Sequence, residues 1–185
     1  MESLPQTLEQ FDAVTSASRE VFITKMKDYG TAWRILRIPS ITDQVYIKAQ
    51  RIRSIDSLGS QRIEEGIRPE FIGIINYSVI ALIQLNMGAA ETTLSLSVEE
   101  GITLYDGYLQ KAKELMLDKN HDYGEAWRNM RLSSLTDIIL MKLMRIKQIE
   151  DNQGKTMNSE GIDANYLDII NYAAFALIKL DYENP

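Results

Sequence analysis

Apolar residues recur along the chain at steps of three and four, whereas the strict apolar–polar alternation of half-buried strands is scarce. No Asn-Gly hairpin signal is present. The pattern predicts an all-α protein with three helices in each half. The first helix is expected to begin near Thr7, where Thr7-x-x-Gln10 has the form of a capping box, and to stop at Asp28-Tyr29-Gly30, glycine being the usual residue just past a helix end. Its counterpart stops at Asp122-Tyr123-Gly124. The second helix is expected to start at Ser40 or Ser134, each followed three positions later by Asp43 or Asp137, and to run to about Leu58 or Glu150. The third covers about 70–86 and 164–181; dense in Ile, Leu, Ala and aromatic residues, it is predicted to be the most buried element.

The two halves are copies. Residues 25–55 laid over 119–149, an offset of 94, give 15 identities in 31 positions; the match resumes at an offset of 95, where 65–85 over 160–180 gives 11 in 21. One residue was inserted between the two blocks. Two copies are too few for a solenoid, which needs about three or more repeats. The expected architecture is therefore a tandem duplicated helical repeat packed as an intramolecular pseudo-two-fold bundle: copy A at 6–86, a connector at 87–101 with a short helical turn, and copy B at 102–181, together one compact unit.

Composition narrows the function classes. The 185 residues contain no cysteine, which removes disulfides, thiolate zinc sites and cysteine nucleophiles and accords with a cytoplasmic protein. No run of 18 apolar residues occurs, and the N-terminal stretch is acidic and polar where a signal peptide would be basic and then apolar. The net charge of −6 falls in the second half. Duplex nucleic acid and anionic membranes, which call for a broad basic footprint, are not expected as partners; a small anionic ligand in a local basic pocket is.

The candidate chemistry begins with a misplaced charge. The apolar stripe of the second helix reads Ile41, Val45, Lys48, Ile52, Ile55 in copy A and Leu135, Ile139, Lys142, Ile146, Ile149 in copy B, so each lysine lies on the core-facing side. A buried ammonium is costly unless paired. Either the lysines snorkel or pair with a core carboxylate, or they bind phosphate together with Arg51 and Arg145, one turn further along. Those arginines equally have Asp43 and Asp137 as candidate partners. The sequence Asp28-Tyr29-Gly30-x-x-Trp33-Arg34-x-x-Arg37 returns as Asp122-Tyr123-Gly124-x-x-Trp127-Arg128-x-x-Arg131. Here the tryptophans either plug the loop onto the core or, with the tyrosines, stack on a base while the arginines neutralise phosphate.

On the third helix Asn76-Tyr77 matches Asn171-Tyr172, and copy B alone has Asp168 where copy A has Gly73. Asp168-x-x-Asn171 places a carboxylate and an amide oxygen one turn apart, half a site for a hard cation such as Mg²⁺, with Glu160, Asp137 or Asp122 as candidates to complete it. His121 faces Lys27 in the other copy and is expected at the surface. No Ser-His-Asp set, glycine-rich phosphate loop or zinc motif is found.

The combination Lys-x-x-Asp-Tyr-Gly-x-x-Trp, Asp-x-x-x-x-Lys-x-x-Arg-Ile and a final Asn-Tyr resembles the nucleotide modification associated domain family, here present twice. More distantly, the helical pattern is similar to the all-α nucleoside triphosphate pyrophosphohydrolases of MazG type. That resemblance implies a nucleotide ligand and Mg²⁺-assisted attack of water on a phosphoanhydride, with Asp168, Lys142 and Arg145 as the catalytic candidates. Asp137, Glu160 and Asp168 would be the metal ligands. Asp28, Tyr29, Trp33, Arg34, Lys48, Arg51, Asn76, Asp122, Tyr123, Trp127, Arg128 and Asn171 would be the ligand contacts. The chain departs from the MazG type in lacking the Glu-Glu-x-x-Glu motif. Two alternatives therefore stand beside the hydrolase: a non-catalytic nucleotide-binding accessory protein, and a helical interaction module. Further oligomerisation is left open.

Overall fold

Helical periodicity carries through the whole structure. The computed structural model describes residues 3–59, 66–157 and 160–183, and among them no strand forms. The long helices are α1 Ser3–Tyr29, α2 Ile38–Leu58, α3 Arg68–Met87, α4 Val98–Tyr123, α5 Leu132–Asp151 and α6 Ile162–Ile178, three from each copy. Short 3₁₀ turns at Ala32–Ile35 and Ala126–Asn129 lead from the first helix of each copy to its second, and a π-turn at Lys179–Glu183 prolongs α6.

The helices form three layers. α3 and α6 pack on each other in the middle, α2 and α5 cover one side, and α1 and α4 cover the other. This follows from composition: α3 buries Phe71, Ile72, Ile74, Ile75, Val79, Ile80 and Ile83, residues that point in every direction around the helix, so it must be covered on all sides. By length and apolar character α3 could cross a bilayer, yet 67% of that window is buried within the protein. α1 instead buries one stripe, Thr7, Phe11, Val14, Ser18, Phe22 and Met26. α4 buries Gly101, Tyr105, Ala112, Met116 and Asn120, all but Val14 of those positions shifted by 94. The duplication thus includes the first helix, where identities no longer show it.

Several helix ends differ from the sequence expectation. α1 does not start at Thr7 but runs back to Ser3, and Thr7 lies buried in its interior, donating to Glu125 and accepting from Arg128 Nη2 at 2.6 Å. Its hydroxyl serves a contact between the copies, so it caps nothing. α2 and α5 start at Ile38 and Leu132, before Ser40 and Ser134; Arg37 and Arg131 are the capping residues, and neither caps with its side chain. Pro39 in the first turn of α2 suits that earlier start, since its missing N–H would have no intrahelical partner there. The capping box belongs to α4, whose N-terminus falls inside the expected connector: Glu100 N–H donates to Ser97 Oγ at 3.1 Å and Ser97 N–H to Glu100 Oε2 at 2.9 Å. Those hydrogen bonds lower the Glu100 pKa. The glycine stops are as read, with Gly30 and Gly124 left-handed at φ 60° and 59°.

Candidate functional site

The lysine in the apolar stripe of α5 has a partner. Lys142 is 9% exposed in its side chain, and its ammonium donates to Asp168 Oδ2 at 2.7 Å. The other oxygen, Oδ1, accepts from Lys119 of α4 at 2.5 Å. Asp168, 7% exposed, is therefore a buried carboxylate gripped by two cations from two helices. Burial lowers the Lys119 pKa, but the hydrogen bond and charge of Asp168, helped by Tyr172 and Glu160, outweigh it and leave the pKa raised.

Copy A solves the same problem differently. Gly73 stands in place of Asp168, and a Cβ there would lie 2.8 Å from Lys48 Cε and 2.9 Å from Cδ. The lysine stem thus occupies the room the glycine leaves. The carboxylate sits one turn earlier on the third helix, at Glu70, where it accepts from Arg51 at 2.6 Å and from Lys48 at 3.5 Å. Copy B has Asn165 at that position. Moving one carboxylate by one turn changes which base it neutralises: the arginine in copy A, the lysine in copy B.

Arg145, the counterpart of Arg51, is left exposed and without an ion-pair partner among the described residues. It lines a cavity of about 590 Å³ with Gln148, Asn152, Lys155, Glu160 and Asn165. Asn165 is 4% exposed and donates to the Gly161 carbonyl at 2.8 Å. Two cations, three amides and one carboxylate line it, a donor-rich set suited to an oxyanion. Along α6, Asn165, Asp168 and Tyr172 follow at successive turns. Burial, and then Asp168, push the Tyr172 hydroxyl pKa up against the opposing charge of Lys119.

The remaining candidates divide into two groups. Asp28, Tyr29, Asp122 and Tyr123 stand at the surface, the tyrosines 74% and 75% exposed, as does His121. Trp33, Arg34, Asn76, Trp127, Arg128 and Asn171, expected as ligand contacts, are instead engaged within the fold. Trp127 stacks on Phe175 with centroids 4.2 Å apart, and Trp33 leans on Phe22. Arg34 is buried against Gln84 and the Gly88 carbonyl, while Gln84 donates to the carbonyls of Arg34 at 2.8 Å and Leu36 at 2.7 Å. Lys179 takes the place of Gln84 in copy B and donates to the Arg128 carbonyl at 2.7 Å. Arg128 itself binds Thr7, Gln10 and Glu183 and lies over the Trp127 ring. Asn76 donates to Ser18 O at 3.0 Å and Asn171 to Ala112 O at 2.9 Å, each clamping the third helix of its copy to the first.

The residues do not fit a bound Mg²⁺. Both Asp168 oxygens are held by ammonium groups, and Asp137, 60% exposed, faces Arg53 across 3.9 Å beside a separate cavity. No group of three or more potential metal ligands occurs among the described residues. Asp43, offered above as a partner for Arg51, pairs with Lys147 at 2.8 Å. Sequence reasoning missed Lys119, although it and Lys25 are identical across the copies. It also missed Asn165, whose signal was the Glu70 that it replaces.

The profile of the family described as Nucleotide modification associated domain 1 matches the chain twice, at 25–85 and 119–180. The chain belongs to this family. The matches reproduce the two copies and leave the N-terminal parts of α1 and α4 outside. Comparison with curated proteins and with solved structures finds no match. A likeness between this nucleotide modification associated protein and the MazG-type pyrophosphohydrolases is not shown.

Proposed function

We propose that this member of the nucleotide modification associated family binds a phosphorylated nucleotide on copy B. Arg145 and Lys155 hold the phosphate, and Asn165, Gln148 and Asn152 supply hydrogen bonds. The observation that carries this reading is the contrast between the two arginines: Arg51 is held by Glu70, whereas Arg145 faces a polar cavity and forms no ion pair among the described residues, Glu160 at the cavity's edge included. Tyr172 follows Asn165 along α6, outside the cavity's own lining, at a distance of about 10 Å at 1.5 Å per residue. That span accommodates a phosphate at one end and a base near Tyr172 and exposed Tyr123 at the other. The family description supports the ligand class. With Asp168 bound by two lysines, no metal-assisted step is assigned, and binding rather than hydrolysis is the function proposed.

The test is thermal unfolding against ribo- and deoxynucleoside mono-, di- and triphosphates, with and without Mg²⁺. A ligand at 100 times its Kd adds about 2.7 kcal/mol to the unfolding free energy. The expected result is a selective, metal-independent rise that Arg145→Met removes without changing the melting temperature of the unliganded protein. A protein that no nucleotide stabilises refutes the proposal.

A further inference from the structure

Copies A and B hold the same three cations at corresponding positions: Lys25, Lys48 and Arg51 in one, Lys119, Lys142 and Arg145 in the other. What differs is the carboxylate. In copy A, Glu70 is 13% exposed in its side chain and places one oxygen on each of two bases, Arg51 at 2.6 Å and Lys48 at 3.5 Å. A carboxylate forking between an arginine and a lysine one turn apart has the geometry by which the same pair would grip two oxygens of a phosphate. We infer that copy A is a second oxyanion site of this chain, already filled by its own Glu70.

This rests on the proposed function only for the ligand class, because the copy A residues are independent of Arg145. Two further features, one from each copy, support it. Lys48 is held in place by groups other than Glu70: its stem crosses Gly73 and its ammonium lies 5.8 Å from the Tyr77 ring centroid. Copy B shows the helix pair without this glutamate, since Asn165 is accommodated at the equivalent position and donates to the carbonyl one turn back. Asparagine at 70 thus has a precedent at the equivalent position, although copy B also carries Asp168 against its lysine where copy A has Gly73. Glu70 acts as a built-in competitor, and an anion binds copy A only by displacing it.

Isothermal titration of the full chain with inorganic pyrophosphate, repeated with ATP, tests this. The wild type is expected to bind one equivalent, Glu70→Asn two, Asn165→Glu none, and the double variant one, now in copy A. Glu70→Gln, which keeps the shape and removes the charge, is the second variant should Glu70→Asn fail to fold, and it too is expected to bind two. A wild type that binds one equivalent with Glu70 variants that also bind one overturns this inference and leaves the copy B site standing. A wild type that binds none overturns the copy B site. In that case one equivalent on a Glu70 variant upholds the copy A inference, and none overturns it as well.

Discussion

Replacing Asp168 by Asn puts the buried ion pair to a direct test. The change preserves shape but removes the one charge that balances Lys142, whose side chain is 9% exposed, and Lys119, which is 45% exposed. Deleting one partner of a buried pair costs about 3–5 kcal/mol, because the survivor stays buried without compensation. The half-exposed Lys119 adds at most about 1 kcal/mol, being screened by water. For a chain of this length each kcal/mol lowers Tm by about 2–4 °C, so a fall of about 6–24 °C is expected in calorimetry at pH 7. The loss should change little between low and high salt, since a buried pair is poorly screened. Asp118→Asn, an exposed acid on α4, should leave Tm nearly unchanged. The combined variant Asn165→Glu, Asp168→Gly installs the copy A arrangement in copy B, and should recover all but about 1–2 kcal/mol, the cost of a mid-helix glycine and of the lost Lys119 pair. A loss below about 1 kcal/mol for Asp168→Asn would refute the reasoning.

Two further variants probe other asymmetries between the copies. The Asn76 side-chain oxygen accepts from the Tyr105 hydroxyl at 2.6 Å, but Asn171 Oδ1 is buried with no partner, and the residue matching Tyr105 is Phe11. Phe11→Tyr is expected to supply the missing donor and stabilise the protein by about 1 kcal/mol in urea unfolding; destabilisation would show that the copies diverge at this point. At the contact of α2, α5 and α6, Thr42 meets Glu150 at 2.6 Å and Tyr166 at 2.6 Å. Burial raises the Glu150 pKa, the Thr42 hydrogen bond opposes this, and Asp43 adds to it. A raised folded-state pKa means the folded chain binds more protons, so this contribution is fully present below the ordinary carboxylate pKa of about 4.3 and is lost as pH rises through the folded value. Glu150→Gln should accordingly be more stable than the wild type at pH 7 and lose that advantage near pH 4. Equal stability at both would be against it.

The periodicity that places Lys142 in a row of buried residues was enough to demand a counter-charge, and the duplication was enough to give a helical bundle of two repeats, though not its order of layers. Which carboxylate answers the lysine was not legible, because Asp168 reads equally well as half a metal site until α4 brings Lys119 to its other oxygen. Arg34 and Arg128 illustrate the same limit. Their spacing after tryptophan suits a phosphate site, and only the return of Gln84 and Lys179 from the third helices turns them inward. Local signals also misled at Thr7, whose capping-box form is the same as that of Ser97. What separates them is Arg128, 121 positions away, which claims the Thr7 hydroxyl.

The back-to-back pairing of α3 and α6 bears on how the chain is made. α3 is complete at Met87, but the helix that covers it ends at Ile178. At ribosomal rates of about 5–20 residues per second, the intervening stretch takes on the order of 5–20 s to emerge. Throughout that interval the nascent first copy presents the apolar face of α3 that α6 later covers. Vectorial synthesis therefore holds this protein at its most aggregation-prone stage until its last helix is delivered, and pausing of translation within copy B should make it depend on chaperones.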